Sequence, residues 1–453
     1  MTNSPTRGGM LGALDGDPAV DAAIGDDALI RAMLDVEAAL ARAAAAAGLV
    51  SRDAAEEVTA AAAGLDLDPS DLGRRATAPG NPVVPLAALL QAAVSRPAQA
   101  AVHLGATSQD ILDTALMLVS RRALELVVDR VRRAADTVAE LAATHRNTLM
   151  LARTLGQPAA PTTFGLRAAG WLAGLDFATA RLEQVRDSSL AVQLGGAAGT
   201  RAGYAGSGAA VAAGLAAELD LIDPGRPWHT ERSRVHELAF ALQAVVTAGG
   251  KVAVDIVSMS QAEVGEASEG TPGGSSAMAH KRNPVQSVLI LAAVRRAPSI
   301  VSALLGSGVH EQERATGSWH AEWQPLRELI GLAGNVAVRT ADVVANLKVD
   351  TAAMRRNLDS ASPGILSEGI TALLRPHLGR ERAQDAVRQA LNAAPEGGPD
   401  FVLALRADPP VAEAITAEEL TSALDPSTHT GDAGSLVDTI LRTRRNDKHG
   451  SRC

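Results

Sequence analysis

The chain has 453 residues, a net charge of −9, 47% hydrophobic residues and only 2% aromatic residues. An acidic chain of this kind is not expected to bind nucleic acid, and its single cysteine, Cys453, excludes a disulfide framework and a thiolate metal site. Because alanine and leucine favour helices, whereas the residues that favour strands are scarce, the composition predicts an all-α protein.

The N-terminus gives no sign of export. Residues 1–10 lack the basic segment and the apolar run of a signal peptide. We also expect no apolar stretch to be long and uncharged enough to span a bilayer. The sequence therefore predicts a cytoplasmic protein with no membrane partner.

The first predicted helix runs from Asp26 or Asp27 to about Ala47, where Gly48 ends it. Its apolar residues recur at the helical period, at Leu29, Met33, Val36 and Leu40. Residues 66–85 then contain several prolines, and there we predict irregular backbone between helices.

Residues 103–110 read His-Leu-Gly-Ala-Thr-Ser-Gln-Asp and precede a helix predicted to start near Ile111. Thr107 and Asp110 have the spacing of a capping box, so Thr107 or Ser108 can serve simply as a cap. A helix N-terminus with free N–H groups and hydroxyls is also suited to a carboxylate. The two interpretations are compatible, and both stay open.

Long helices are predicted where proline is absent, from Pro97 to Pro158 and from Pro227 to Pro272. In the second stretch apolar residues follow a near-heptad pattern, and a helix of about 30 residues would be about 45 Å long. A further helix is predicted from about Pro284 to Leu305. Apolar stripes of this length are typical of a bundle of long helices, often shared between subunits.

Residues 153–165 read Arg-Thr-Leu-Gly-Gln-Pro-Ala-Ala-Pro-Thr-Thr-Phe-Gly. Pro161 fits the first turn of a helix that runs to about Asp187. Arg153 and Gln157 would then lie where one long helix ends and the next begins, and they offer donors for a carboxylate. Taken alone this is a weak indication, since an arginine near a helix end is usually a surface residue.

Two further segments, 228–234 and 310–323, combine charged and aromatic residues. The first contains His229, and for Arg234 a solvated position at a helix entry is the better interpretation. The second has two histidines and several acids, but not the spacing of a helical metal site, so we expect no metal there. Arg314 is predicted instead to clamp a substrate carboxylate.

Residues 270–284 are the most informative stretch and read Gly-Thr-Pro-Gly-Gly-Ser-Ser-Ala-Met-Ala-His-Lys-Arg-Asn-Pro. Two hydroxyls, of Ser275 and Ser276, precede a cluster that includes Lys281 and Asn283. Such a loop can close over an anion and bring a serine to a C–H bond, provided that N–H groups and the lysine lower the pKa of the serine. A plain Gly/Ser linker is the alternative, but it gives no reason for the polar cluster that follows.

After about Ala345 the sequence predicts shorter amphipathic helices separated by prolines, and residues 444–453 are polar and expected to fray. We find no internal repeat. The predicted organisation is a helical N-terminal domain (1–104), a central bundle of long helices (105–346) and a helical C-terminal domain (347–453).

Together and in this order, these segments resemble the fumarase/aspartase superfamily, whose loop has the form Gly-Ser-Ser-x-Met-Pro-x-Lys-x-Asn. Residues 275–283 match this form except that Ala279 replaces the proline. The resemblance covers nearly the whole chain, from Leu-Asp-Val-Glu at 34–37 to Leu-Asp-Pro at 424–426. It implies an all-α homotetramer whose active sites collect residues from three subunits and accept a small polycarboxylate.

The resemblance also implies roles for single residues. Ser275 is the candidate general base for a proton next to a carboxylate, and Lys281 and Asn283 would stabilise the aci-carboxylate that forms. The other predicted substrate contacts are Thr107, Ser108, Gln157 and Arg314, with Asn81 and His229 as contacts of second rank. His103, His229, His280 and His320 are all open as partners of the serine. No metal or organic cofactor is expected, because proton transfer beside a carboxylate needs only electrostatic stabilisation.

Leu155 departs from the pattern of the superfamily. Most of its lyases have a histidine at this position, after Arg-Thr, which assists the leaving group, and a leucine cannot transfer a proton. An amine or hydroxide needs such an acid, worth about 10²–10⁴-fold, whereas a carboxylate, with a pKa of about 4, departs as the anion. The chain thus most resembles the bacterial 3-carboxy-cis,cis-muconate cycloisomerases, which have an apolar residue here. An adenylosuccinate-type lyase with a substitute histidine and a non-catalytic, crystallin-like relative are the alternatives.

Overall fold

The computed structural model describes residues 9–12, 14–274, 278, 280–394 and 399–450. In the first half of the chain the helices are α1 (Gly9–Gly12), α2 (Pro18–Ile24), α3 (Asp26–Ala46), α4 (Arg52–Gly64), α5 (Pro69–Ala76), α6 (Val83–Ala92), α7 (Ser108–Thr144), α8 (Phe164–Ser188) and α9 (Gly208–Leu219). They are followed by α10 (Ser233–Met259), α11 (Val285–Gly306), α12 (Ser318–Ala345), α13 (Thr351–Asp359), α14 (Ser367–Leu378), α15 (Arg380–Ala393), α16 (Pro399–Arg406), α17 (Pro409–Ala414), α18 (Ala417–Ser422) and α19 (Ala433–Gly450). The strands are β1 (Leu149–Thr154), β2 (Gln157–Thr163), β3 (Ala267–Ser268) and β4 (Lys348–Val349).

The predicted long helices are confirmed. α7 and α10 lie inside the proline-free stretches, and α3 and α11 match their predicted bounds to within about a residue. In α10 the near-heptad residues form the buried side of the helix, at Val235, Leu238, Leu242, Val245, Val252, Ile256 and Met259. Helix formation here therefore follows from burial of one apolar stripe rather than from helix propensity alone.

The described residues group into two compact units. The first comprises Met1–Arg132, Phe177–Gly250 and Leu289–Thr340. The second comprises Arg133–Asp176, Lys251–Val288 and Ala341–Cys453. The division into three domains at residues 104 and 346 stays a prediction.

In the first unit α10 lies very close to its neighbours, because two glycines stand near its middle. A Cβ atom on Gly249 would lie 2.4 Å from Cγ1 of Val336 and 2.7 Å from Oγ1 of Thr340, both on α12. A Cβ atom on Gly250 would lie 2.7 Å from Cγ2 of Val294 on α11. Any side chain at either position would push these helices apart, so the two glycines set the spacing.

In the second unit the helices after α12 enclose a hydrophobic core of their own. Its fully buried members include Ile370 and Leu374 of α14, Phe401 of α16 and Val411 of α17. Leu151 of β1 also belongs to this core. The prediction of shorter amphipathic helices in this region is confirmed, since each helix buries one apolar face.

The prediction of irregular backbone over residues 66–85 holds for residues 66–68 and 77–82 only, since α5 and the start of α6 occupy the rest. Pro69 is the first residue of α5, where the Oδ1 atom of Asp68 accepts a hydrogen bond from the Asp71 N–H at 2.7 Å. Proline is favoured at a first helical position, because its missing N–H would have no partner there. Pro69 therefore marks a helix start, whereas Pro79 lies in the turn between α5 and α6 and Pro82 immediately precedes α6.

The predicted helix start at Pro161 is also wrong. Pro161 lies in β2, which pairs antiparallel with β1, and the pairing is irregular between Leu151 and Arg153. The helix begins at Phe164, where the Thr163 hydroxyl accepts a hydrogen bond from the Leu166 N–H at 3.1 Å. A threonine cap, rather than the proline, marks the start of α8.

The C-terminal segment does not fray at Arg444. Helix α19 continues to Gly450, and residues 451–453 lie outside the described part of the chain. Arg444 is only 10% exposed and forms ion pairs with Asp136, at 2.6 Å, and with Asp176. These two ion pairs hold a stretch whose polar composition alone predicts a loose end.

Two helices, α10 and α11, are long and apolar enough to cross a membrane, as judged by length and composition alone. The expectation that no stretch meets these criteria is therefore wrong. Of the most apolar 18-residue window, 56% is buried inside the structure in α10 and 33% in α11. An alanine-rich helix that packs on several sides becomes apolar all round without any membrane.

Candidate active site

Asp110 organises the start of α7. Its Oδ2 atom accepts a hydrogen bond from the backbone N–H of Thr107 at 3.0 Å, and the Asp110 N–H donates to the Thr107 carbonyl at 2.9 Å. The contact from side chain to backbone is one half of a capping box, which the spacing of the two residues predicts. Thr107 and Ser108 therefore lie at the N-terminus of a helix of 37 residues.

The same carboxylate also holds a glycine turn and a histidine. Asp110 accepts hydrogen bonds from the N–H groups of Gly195, at 2.9 Å, and Gly196, at 2.8 Å, and its Oδ1 atom lies 2.6 Å from Nε2 of His229. Glycine is required at 195, since a Cβ atom there would lie 2.4 Å from Cε1 of His229. Thr107 and His229, both predicted contacts, thus meet at one fully buried carboxylate.

Arg314 joins this group through the same turn. One Nη2 hydrogen bond, 2.5 Å long, runs to the carbonyl of Gly196, and Nη1 donates to the carbonyl of Glu313. Partial burial lowers the pKa of Arg314, while the charges of Asp110, Asp113 and Glu313 act in the opposite direction. In these contacts the guanidinium donates to neutral carbonyl groups. Its positive charge is therefore not neutralised by them and can attract an anion.

A second buried ion cluster lies one helical turn further along α7. Arg232, of which 2% is exposed, donates from Nη1 to Asp113 at 2.8 Å and from Nη2 to Glu322 at 2.6 Å. Its guanidinium also lies over the ring of Trp228, 4.7 Å from the centroid. Burial alone would raise the pKa of Asp113, but Arg232 and the hydrogen bonds of Trp319 and Gln109 outweigh it, so the pKa lies below 3.8.

This depressed pKa gives Asp113 a defined contribution to stability. Because the pKa is lower in the folded chain than its ordinary value of 3.8, Asp113 stabilises the fold above that pH, and the contribution is lost as the pH falls through the folded value. We expect Asp113→Asn to be less stable than the wild type at neutral pH. The difference should shrink as the pH falls, which urea unfolding from about pH 6 to about pH 3 would measure. A constant difference over that range would contradict the assignment.

Asn81 lies at the start of α6. Its Oδ1 atom accepts hydrogen bonds from the N–H groups of Val83, at 3.1 Å, and Val84, at 3.4 Å. The carbonyl of the preceding Gly80 lies 3.1 Å from Nε2 of His320. Asn81 therefore has a capping role in the structure, and its predicted contact with substrate stays a prediction.

In the second unit, Lys281 and Asn283 follow the serine loop. Gly273 and Asn283 exchange two backbone hydrogen bonds, of 2.9 and 3.0 Å, which close the loop at its base. The side chain of Lys281 is exposed, whereas that of Asn283 is half-buried and donates to the Gly274 carbonyl at 3.4 Å. Ser275, the predicted general base, lies outside the described residues.

Gln157 lies next to the tip of the β1–β2 hairpin. The tip is formed by Leu155 and Gly156, both at positive φ, and the Leu155 side chain is fully exposed. Arg153 points elsewhere, since it binds both oxygens of the buried Glu266, at 2.9 and 3.0 Å. In this structure, therefore, Arg153 does not offer its donors at the tip, whereas Gln157 is exposed there.

The predicted residues thus form separate groups. Thr107, His229 and Arg314 meet around Asp110 in the first unit, whereas Gln157, Lys281 and Asn283 lie on two segments of the second. Four buried charged residues were not predicted from the sequence: Glu37, Asp113, Arg232 and Glu322. Arg232 could have been predicted, since it lies in the charged and aromatic segment 228–234, two residues before Arg234.

The described residues contain no group of three or more histidine, cysteine, aspartate or glutamate side chains that could hold a metal ion. What converges instead is a set of N–H donors and cations. Around Asp110 these are the first turn of α7, His229 and Arg314. Donors of this kind can bind carboxylates and stabilise negative charge that develops on them.

Comparisons with known proteins identify the family of the chain. Residues 17–298 match the family model described as Lyase, and residues 363–440 match that of the adenylosuccinate lyase C-terminus. A nitrosuccinate lyase from Streptomyces davaonensis is 41% identical over 96% of this chain and 94% of its own. A 3-carboxy-cis,cis-muconate cycloisomerase from Bradyrhizobium diazoefficiens is 38% identical over 97% of this chain and 98% of its own.

The fold is likewise that of solved relatives. The crystal structure of 3-carboxy-cis,cis-muconate lactonizing enzyme from Pseudomonas putida superposes with a TM-score of 0.88 and 36% identity. The match covers 96% of this chain and 99% of that one. The prediction of an all-α fold is therefore confirmed, as is that of an enzyme of the lyase class. This chain belongs to the fumarase/aspartase superfamily.

Proposed function

We propose that the protein is a 3-carboxy-cis,cis-muconate cycloisomerase, which forms 4-carboxymuconolactone during the breakdown of protocatechuate. The observation that carries this proposal over an acid-assisted elimination is Leu155. Its side chain cannot donate a proton to a leaving group, so the bond that forms or breaks should involve a group that is stable as an anion. A carboxylate that adds within its own molecule meets this requirement, and two of the relatives named above act on carboxymuconate.

In the proposed reaction, one carboxylate oxygen of the substrate forms a C–O bond to a carbon of a double bond. The electron pair of that double bond moves to the carbon next to another carboxylate, which becomes an aci-carboxylate. A proton then adds to this carbon, and Ser275 is the group that delivers it. In the reverse direction Ser275 removes the proton, and the lactone oxygen leaves as a carboxylate.

The cations and N–H donors serve the three carboxylates of the substrate. Lys281, Asn283 and Arg314 would stabilise the aci-carboxylate and its neighbours, and Thr107, Ser108 and Gln157 would bind the remaining oxygens. Asn81 and His229 complete the set. No single segment offers enough donors for a tricarboxylate, which is the physical reason to expect all of them to take part.

A second candidate is the elimination of nitrite from nitrosuccinate. It is favoured by the nitrosuccinate lyase that is 41% identical over 96% of this chain. Nitrite, like a carboxylate, is a weakly basic anion that departs without an acid, so Leu155 is compatible with both reactions. The two differ in the substrate, which is a planar conjugated tricarboxylate in one case and a short nitro-dicarboxylate in the other.

Incubation of the purified protein with three substrates separates the candidates. We expect 3-carboxy-cis,cis-muconate to be converted with a kcat/KM at least about 100-fold above that for adenylosuccinate, whose amine leaving group needs an acid. Lactone formation can be followed by the loss of diene absorbance, and nitrite release by a colorimetric assay. Turnover of nitrosuccinate alone would favour the second candidate, and turnover of adenylosuccinate alone would contradict the role given to Leu155.

We infer that the enzyme is a cytoplasmic homotetramer with shared active sites. Large apolar side chains are exposed on the long helices and beside them in the first unit, at Phe177, Phe240, Leu305 and Val309, the last of which is 84% exposed. Contact with further copies of the chain would bury this surface. Light scattering after size-exclusion chromatography would measure the mass, and a monomer would contradict the inference.

A further inference from the structure

Glu37 is a carboxylate in the core of the first unit, and both of its oxygens contact one residue, His103. Glu37 lies on α3 with no exposed surface. One of its oxygens accepts the backbone N–H of His103 at 2.9 Å, and the other lies 2.6 Å from Nδ1 of the same histidine. A buried carboxylate costs free energy unless it is paired. An arrangement in which both oxygens serve a single residue therefore indicates that the position of His103 matters.

The backbone of His103 is itself unusual. Its φ angle is +56°, in the left-handed region that residues other than glycine seldom adopt. The following Gly105 is also left-handed, at +66°, and a Cβ atom there would lie 2.9 Å from Cζ of Tyr204. The turn is thus pressed against a buried tyrosine on one side and held by Glu37 at the histidine.

The imidazole of His103 faces a cleft. The side chain is 26% exposed and lines a surface cleft of about 300 Å³, together with two other polar residues, Ser108 and Gln91. The other walls are mostly apolar and come largely from α6, with Val84, Ala87 and Ala88. Since Nδ1 is taken by Glu37, Nε2 is the ring nitrogen that can meet a ligand in this cleft.

Other histidines of the first unit are placed differently. His229 is only 4% exposed, and its Nε2 is bound to Asp110. The side chain of His310 has no exposed surface and lies 3.2 Å from Glu322. Nε2 of His320 lies 3.1 Å from the Gly80 carbonyl. Of the candidates left open by the sequence, His103 thus combines a held orientation with a cleft.

We propose that Glu37 is a positioning residue that holds His103 as a cationic hydrogen-bond donor for a substrate carboxylate in the cleft beside α6. The proposal names a subsite of the proposed function and rests on it. The apolar wall would take the hydrocarbon part of the substrate, and Nε2–H of His103, next to the Ser108 hydroxyl, would bind the carboxylate.

The charges around the imidazole support this role. Burial by itself lowers the pKa of His103, but the hydrogen bond and charge of Glu37, and the charge of Asp110 on α7, outweigh it, so the pKa is raised. Tyr204, on the segment that packs against Gly105, is neutral at physiological pH, because burial and the same two acids raise its pKa. The imidazolium is favoured below the raised pKa of His103, and its charge is lost as the pH rises through it.

Binding of tricarballylate, measured by calorimetry across a range of pH, tests the proposal without any turnover. We expect the affinity of the wild type to fall as the pH rises through the pKa of His103. Glu37→Gln keeps the shape but removes the charge, so the fall should begin at lower pH. His103→Asn should bind about tenfold more weakly at low pH and lose this pH dependence. Near neutral pH the further change His103→Asn should matter much less in the Glu37→Gln background than in the wild type.

Glu218→Gln provides the control, since this carboxylate also pairs with a residue of α3, Arg42, but on the surface. It should bind like the wild type. Unchanged affinity and pH dependence in His103→Asn would overturn the proposal, and this variant decides the matter if Glu37→Gln fails to fold. If the protein does not convert 3-carboxymuconate but the binding results hold, the proposed function fails and the subsite stands.

Discussion

Arg232→Met is expected to lower the free energy of unfolding by about 3–5 kcal/mol. Asp113 and Glu322, both at most 2% exposed, would lose the guanidinium that lies between them, and methionine offers no donor in return. Asp113 would keep its hydrogen bonds from Trp319 and Gln109, and Glu322 its contact with His310, but both carboxylates would remain in the core of the first unit without the cation that neutralises them. The shift of the urea unfolding transition at one fixed protein concentration measures the effect.

Arg226→Met is the matched control. Arg226 is also an arginine paired with an acid, but it is 67% exposed and lies 3.6 Å from Glu231. A surface pair of this kind is worth about 0–1 kcal/mol, so this variant should be close to the wild type. Equal stability of the two variants would show that the buried cluster does not stabilise the fold.

Ser275→Ala is expected to reduce the turnover of 3-carboxymuconate by about 10²–10⁴-fold, the usual contribution of a positioned general base. The loss should appear mainly in kcat, because the carboxylate-binding cations and N–H donors stay in place. Initial rates of lactone formation and of the reverse reaction, measured over a range of substrate concentrations, give kcat and KM.

Ser276→Ala is the neighbouring control, since it removes the same hydroxyl one position further along. It should keep at least about a tenth of the wild-type rate if the first serine alone handles the proton. Both variants should unfold at the temperature of the wild type. Full activity of Ser275→Ala would mean that the role given to this serine is wrong, whatever the substrate proves to be.

The long helices could be predicted because a single physical signal determines them. An apolar stripe at helical spacing without proline, as in α10, has no competing structure that buries it equally well. Prolines were harder to interpret. Pro69 begins a helix, whereas Pro161 lies in a strand. Proline lacks a backbone N–H, so it fits wherever the structure needs no hydrogen bond from that position, and this is not evident from the sequence.

The parts of the candidate site that could be predicted are those whose contacts join residues close in the sequence. Thr107 and Asp110 are three positions apart, so their capping contact follows from spacing alone. Glu37 could not be found in this way. It stands 66 positions from His103 within an alanine-rich helix, where an acid usually indicates a solvated face. Only the folded chain shows that this acid has no exposed surface.

Gly249 and Gly250 place a one-sided limit on the residues that face them. α10 can lie this close to α11 and α12 because glycine has no side chain, and no residue is smaller than glycine. A bulkier side chain at Val294, Val336 or Thr340 therefore cannot be offset by a smaller one opposite. These three positions can lose atoms over evolutionary time and leave a void, but they cannot gain them without moving a helix.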